Sequence, residues 1–190
     1  MNIFYLHDDP RVCAEQQVDK HVVKMILEYA QLLSTAHRVL DGELYIAKTK
    51  TGRKAKRYRL KDDSLERQLY KATHINHKSA VWCRETTANY QWLYDLWIST
   101  MDEYTYRYGR RHESEKLRVA LLKMPKNIMR GPFTPPPPAM PDEYKVEGDS
   151  LESYHNYYRG DKKRMHSWKK RKAPDWINNF VNNGDLNAEL

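Results

Sequence analysis

The sequence predicts a mainly α-helical fold in one compact domain. Two long apolar patterns and one short one carry that expectation. Val18, Val22, Met25, Tyr29, Leu32, Ala36 and Leu40 recur at helical spacing between about Cys13 and Leu40. Beyond Ser79 the same spacing returns at Val81, Ala88, Trp92, Leu96 and Tyr104, and ESEKLRVALLKM at 113–124 is amphipathic. A chain of 190 residues suits one domain with a proper core. We assign residues 1–176 to that domain and 177–190 to a C-terminal tail.

Taken in order, MNIFYL is a short apolar start, a strand or an extended lead-in, and DDP breaks it. The first long helix follows and Gly42 stops it. KTKTGRKAKRYRLK, residues 48–61, holds eight Lys or Arg and no acid, and its Gly and Thr residues suggest a projecting loop or hairpin. Asp62 and Asp63 can cap a short helix running to Ala72. Ser79 is the expected cap of a long helix ending near Gly109. Pro125 and GPFTPPPPAMP end the helical pattern. Four consecutive prolines favour a stiff extended strap, with Phe133 and Met140 as its anchors. Helix resumes from Asp149 to Tyr158, and RGDKKRMHSWKKRKAPDW makes a basic, aromatic tail.

The formal net charge is +8. Residues 159–172 hold eight basic residues and one acid, so with the loop they carry 16 of the 33 Lys and Arg. Concentrated positive charge favours a polyanion, most simply DNA. Arg53, Lys54, Lys56 and Arg57 in the loop are the expected phosphate contacts. In the tail they are Arg159, Lys162, Lys163, Arg164 and Lys169, with Tyr157, Tyr158 and Trp168 as rings that stack on bases. The competing reading is a solvated terminus that aids solubility. Cys13 and Cys83 form no CxxC pair and read as free thiols in a reducing compartment. No stretch approaches 18 apolar residues, and the start lacks a basic-then-apolar signal. A soluble, cytoplasmic protein without membrane contact is expected, with a monomer as the favoured state.

One face of the first helix carries His21, Lys24, Glu28 and Gln31, at steps of three and four. This is either a wet face with a Lys24–Glu28 pair or the floor of a site. A carboxylate between a histidine and a lysine stays ionised and suits support of a developing cation. Lys20 and Lys24 are candidate imine-forming amines if desolvated. His74 and His77 invite a metal reading, but the remaining ligands are missing, so no metal and no cofactor are expected. A phosphate contact by His74, His77 and Lys78 ahead of a helix is the better use. Arg38, at the end of the first helix, is a further candidate for DNA. No zinc finger, P-loop or dinucleotide fingerprint is present.

DKHVVKMILEYAQLL resembles the N-terminal helix of the bacteriophage pyrimidine-dimer DNA glycosylase/AP lyase family. HINHKSAVW before a long helix and the YHNYYRGDKK end look like features of the same group. The whole chain looks like a protein type found in bacteriophage genomes, which implies host cytoplasm. The resemblance implies a mostly helical enzyme in which a terminal amine attacks the sugar of a modified or damaged pyrimidine nucleotide. It places Asp19 and His21 on an acid and a histidine of that helix and Glu28 on the catalytic carboxylate. Met1, or Asn2 after processing, would supply the amine. Two positions depart from the pattern: Leu27 stands where an arginine precedes the carboxylate, and Asn2 leaves Met1 in place where a small second residue would release it. Two other classes remain open: a non-catalytic DNA-binding phage protein, and a small-molecule or nucleotide enzyme lined by His21, His74 and His77.

Overall fold

The computed structural model describes residues 1–178. Of the expected tail 177–190, residues 179–190 therefore lie outside the described residues. Seven α-helices and one two-stranded antiparallel sheet are present among the described residues: α1 Pro10–Gln16, α2 Asp19–Asp41, β1 Glu43–Lys48, β2 Lys54–Arg59, α3 Asp63–Gln68, α4 Lys78–Cys83, α5 Thr87–Tyr108, α6 Arg118–Leu122 and α7 Ser150–Arg159. The domain is mainly helical, with α2 and α5 as its centre. Helix α5 packs against α1 and α2, and α4 packs on α2.

Local chemistry explains most boundaries. Asp9 accepts from the amides of Arg11 and Val12, and Pro10, which has no N–H to lose, opens α1. Asp62 caps α3, Thr86 caps α5 and Asp149 caps α7. Gly109, at φ 69°, ends α5 in the left-handed conformation that glycine adopts at least cost. MNIFYL is extended, and Ile3 to Leu6 are buried.

Four expected helices differ. The run from Cys13 to Leu40 is two helices, because Arg107 claims the backbone at the junction. It donates to the carbonyls of Glu15 and Gln17, each at 2.9 Å, so those oxygens have a partner without further helix. The helix expected from Ser79 to Gly109 is also two. His77 caps α4, Ser79 is buried inside it, and Thr86 restarts the helix as α5. Helix α3 stops at Gln68, and 113–124 divides into a 3-10 turn at Glu113–Leu117 followed by α6.

The core runs along α2 and α5. Trp97 is fully buried and donates its indole N–H to the Ile26 carbonyl at 3.0 Å. Each such large apolar side chain contributes about 2 kcal/mol by leaving water. Arg107, also buried, holds Glu103 and Asp19 besides the two carbonyls. Asp19 accepts in turn from the Ser167 hydroxyl and the Lys169 amide, so the segment after α7 is fastened to the start of α2. Residues 131–141 contain neither helix nor strand until the bend at 140. There Phe133 lies against Trp92 at 5.6 Å, and Trp82 donates its indole N–H to the Thr134 carbonyl at 2.8 Å. Among the described residues no helix is long and apolar enough to cross a membrane.

Candidate functional site

A cavity of about 310 Å³ opens between the chain start, α2 and the segment after α7. Its walls include Met1, Phe4, His21, Glu28, Tyr157 and Lys162. Three distant stretches of sequence meet there because Ile3–Leu6 is drawn into the core beside α2, and α7 then closes over it. Phe4 stacks on His21 with ring centres 3.9 Å apart and meets Tyr158 edge-on at 5.6 Å.

The α-amino nitrogen of Met1 lies 3.9 Å from Oε2 of Glu28, and Lys24 Nζ lies 3.3 Å from Oε1 of the same carboxylate. Glu28 therefore sits between two amines. It is mostly sheltered, at 16% side-chain exposure, whereas Lys24 is 70% exposed at the rim. The Met1 thioether is 4% exposed, so the first side chain is part of the wall. Asn2 fixes this geometry. Its amide donates to the Ala139 carbonyl at 2.8 Å, and its Oδ1 accepts from the Ile3 amide at 2.9 Å and faces the Tyr154 hydroxyl at 2.6 Å. Asn2 is thus a tether of the amine, with its side chain bonded to Ala139, Ile3 and Tyr154.

The polar stripe of α2 is not uniformly wet. His21 is buried, Lys24 is exposed, and Glu28 and Gln31 are half-buried. His21 Nδ1 lies 2.6 Å from the Tyr158 hydroxyl. Burial, then the charges of Lys162 and Lys24, push its pKa down to about 3. The imidazole is neutral at ordinary pH, and it positions Phe4 and the chain start rather than contributing charge. His77 is at the edge of the same field: burial lowers its proton affinity first, the Met1 ammonium next, and Glu28 opposes both. Its Nδ1 accepts from the Ser79 amide at 3.2 Å. His74 is exposed, at φ 50°, with its ring against the Thr73 hydroxyl at 2.8 Å. The wall of the cavity includes His21 but neither His74 nor His77. No cluster of three or more His, Cys, Asp or Glu suited to a metal exists among the described residues.

Several expected DNA contacts are taken up inside the fold. Arg38 is buried, pairs with Glu66 at 2.7 Å, and donates to the carbonyls of Tyr58, Glu66, Leu69 and Tyr70. Its guanidinium closes the base of the hairpin and α3, and has no face for phosphate. Tyr158 is fully buried against His21, so it is no stacking platform. Arg159 is bound to Glu152 at 2.6 Å and to the Trp176 carbonyl at 2.9 Å. Trp168 is half-buried and donates to the Gln16 carbonyl at 2.8 Å. Each is held by a different partner: Arg38 by the hairpin and α3, Tyr158 by His21, Arg159 by Glu152 and Trp176, and Trp168 by the α1–α2 junction.

The remaining candidates are open. Arg53, Lys54 and Lys56 are exposed on the hairpin and Arg57 is half-buried, while Lys78, Lys163, Arg164 and Lys169 are exposed on the body. Tyr157 and Lys162 line the cavity, with the ammonium 4.5 Å from the ring centre. Burial disfavours the Lys162 charge, but the hydrogen bonds it donates to Asp161 and Tyr157 outweigh it and raise the pKa. Lys162 is therefore a fixed cation at the mouth. The sequence reading missed Phe4 and Met165 as cavity residues, and nothing in MNIFYL or the 159–172 stretch separated them from ordinary core.

Comparison with known proteins finds no matching family model, no matching curated protein and no matching solved structure.

Proposed function

We propose that this protein is a DNA glycosylase/AP lyase-like enzyme acting on modified or damaged pyrimidines, with the Met1 amine as nucleophile and Glu28 as its carboxylate. One observation carries the reading: the amine and Glu28 lie 3.9 Å apart in the wall of one cavity. The resemblance of DKHVVKMILEYAQLL to the phage glycosylase helix supports it from an independent direction. A carbon bonded to that nitrogen lies within about 4 Å of the carboxylate, where a developing positive charge is strongly stabilised in a sheltered site.

The unprotonated amine attacks C1′ of the deoxyribose while the C1′–N1 bond breaks, and the base leaves with the bonding electrons and takes up a proton. Glu28 stabilises the cationic sugar. The amine proton is then lost, the sugar ring opens to the imine, and Glu28 assists transfer of the C2′ proton as β-elimination breaks the 3′ C–O bond. The nucleotide has to leave the stack to reach the amine. Lys162 and Lys24 at the mouth suit its phosphates.

Borohydride trapping on abasic DNA tests the reading. A covalent adduct whose mass maps to Met1 supports it, together with loss of that adduct when the amine is blocked. An adduct on Lys24 replaces the nucleophile. Salt-sensitive DNA binding without any adduct leaves a non-catalytic DNA-binding protein, a reading that the exposed basic hairpin also favours.

A further inference from the structure

The hairpin 43–59 stands apart from the rest of the fold. Glu43 to Lys48 pairs antiparallel with Arg59 to Lys54, and Gly52, at φ 78°, turns the tip. Side chains alternate across the ribbon. Leu44, Ile46, Lys48, Lys54, Lys56 and Tyr58 share one face, and Glu43, Tyr45, Ala47, Ala55, Arg57 and Arg59 share the other. The face of Leu44 and Ile46 is open, at 54% and 59% exposed, whereas Tyr45 and Arg57 on the other face border Glu66 and Arg67 of the body. A lone two-stranded ribbon is marginal in water. This one is clamped at its base, where Arg38 donates to the Tyr58 carbonyl at 2.9 Å and Glu66 accepts the Leu60 amide at 2.9 Å.

Charge decides the occupant. A second copy of the ribbon would set Lys48, Lys54 and Lys56 against their like, because they share the face of Leu44 and Ile46. A polyanion is complementary from Lys48 to Lys61, which contain no acid, and Glu43 at the base is paired with Lys61 at 3.0 Å. Shape narrows the choice. Two strands about 4.8 Å apart, with their side chains, fit a groove about 12 Å wide, which is the major groove of B-DNA. The major groove of duplex RNA is too narrow, and a single strand has no groove.

We infer that the hairpin is a ribbon that enters the major groove of double-stranded DNA flanking the sugar bound at Glu28. This rests on the DNA reading above and names its substrate as a duplex. Thirteen residues of α2 separate Glu28 from Asp41. At about 1.5 Å per residue the hairpin base lies about 20 Å along the helix, or about six base pairs from the site.

The test compares the wild-type chain with a triple variant, Arg53→Gln, Lys54→Gln and Lys56→Gln, all at exposed positions. Anisotropy measures binding to an undamaged 24-base-pair duplex, a duplex with three base pairs on each side of the centre, and a single strand. The expected result is at least a tenfold loss on the long duplex, with the log–log salt slope reduced by about three. The short duplex and the single strand bind unchanged, and guanine N7 protection from methylation, six or more base pairs from an abasic site, disappears. Equal weakening on all three nucleic acids, or protection only at adenine N3, overturns the inference. Hairpin-dependent binding to phosphatidylserine vesicles without duplex binding overturns it too. Wild-type trapping of an abasic strand with no effect of the triple variant sinks the hairpin and leaves the enzyme reading standing. Hairpin-dependent duplex binding without any adduct does the reverse.

Discussion

Asn2 and Ala139 are joined by a 2.8 Å hydrogen bond that ties the first peptide of the chain to the proline-rich segment. The carbonyls of residues 131–139 belong to no helix or strand, so they are open to side-chain donors. The Tyr154 hydroxyl stands between the Asn2 side chain and the Pro137 carbonyl, at 2.6 and 3.1 Å, so α7 joins the same anchor. Asn2→Leu removes the tether, and its large second residue leaves Met1 in place opposite Glu28. We expect adduct formation with abasic DNA to slow by about tenfold, because an angstrom of misplacement costs a reaction of this kind that much or more. Stability should fall by about 1–2 kcal/mol in a urea titration. An unchanged trapping rate would mean that the chain start is held by Met1 packing alone.

Glu28→Gln keeps the shape of the side chain and removes its charge. Trapping is expected to fall at least 100-fold, the usual scale for loss of a positioned acid or base. Affinity for undamaged DNA should stay level or rise, since one negative charge leaves a basic cleft. A variant that traps at the wild-type rate removes the carboxylate from the mechanism.

Much of the fold was legible because it obeys periodicity and capping. Asp62, Asp149, Gly42 and Gly109 all end or begin helices through local chemistry, and the alternation of α2 was plain in its apolar residues. The breaks at Gln17–Val18 and Arg84–Thr86 were not legible. The first depends on Arg107, ninety residues away, and a long-range hydrogen bond leaves no mark in a local pattern. The Met1–Glu28 approach could be expected only through the likeness of one helix to a known family. The fate of the basic residues was opaque for a related reason. Arg38 and Lys56 look alike in sequence, yet Arg38 faces a cluster of carbonyls and Lys56 faces water.

Arg38→Met tests that difference. The methionine fills part of the volume but leaves Glu66 without its cation and several carbonyls without their donor. A loss of about 3–5 kcal/mol is expected on breaking such a sheltered pair. Denaturant unfolding should show it, with the hairpin losing amide-exchange protection before α5. Loss of DNA affinity in the folded fraction without a stability change would contradict the assignment.

Two buried imidazoles set an acid limit. Burial pushes His21 down to about 3, and burial, opposed by Asp41, pushes His37 down to about 4. Between those values and the ordinary histidine pKa near 6.5, the unfolded chain binds protons that the folded chain refuses. Stability is therefore complete above about pH 6.5 and falls as pH drops towards 4, by up to about 1.4 kcal/mol per pH unit for each ring. Urea midpoints at pH 7.5, 6, 5 and 4 should follow this slope, and His37→Gln should flatten it. A midpoint that is flat from 7.5 to 4 would mean both rings accept protons without loss of packing.

Lys162 is the cation closest to the mouth with a fixed orientation, held by Asp161 at 2.7 Å and by the Tyr157 ring. Lys162→Met should weaken binding to abasic DNA and lower the salt slope by about one, as expected for one lost phosphate contact. The effect on undamaged duplex should be smaller, because the cavity is then empty of sugar. Equal loss on both substrates would place Lys162 among general backbone contacts.

The sheltered position of Met1 has a practical corollary for anyone producing the protein. On the proposed chemistry, a purification tag joined ahead of that methionine would turn the attacking nitrogen into an amide and thread extra residues through the cavity at Glu28. Such a preparation would fold and carry its charge normally, yet read as inert in the borohydride assay, and cleaving the tag to free the Met1 amine should restore the adduct.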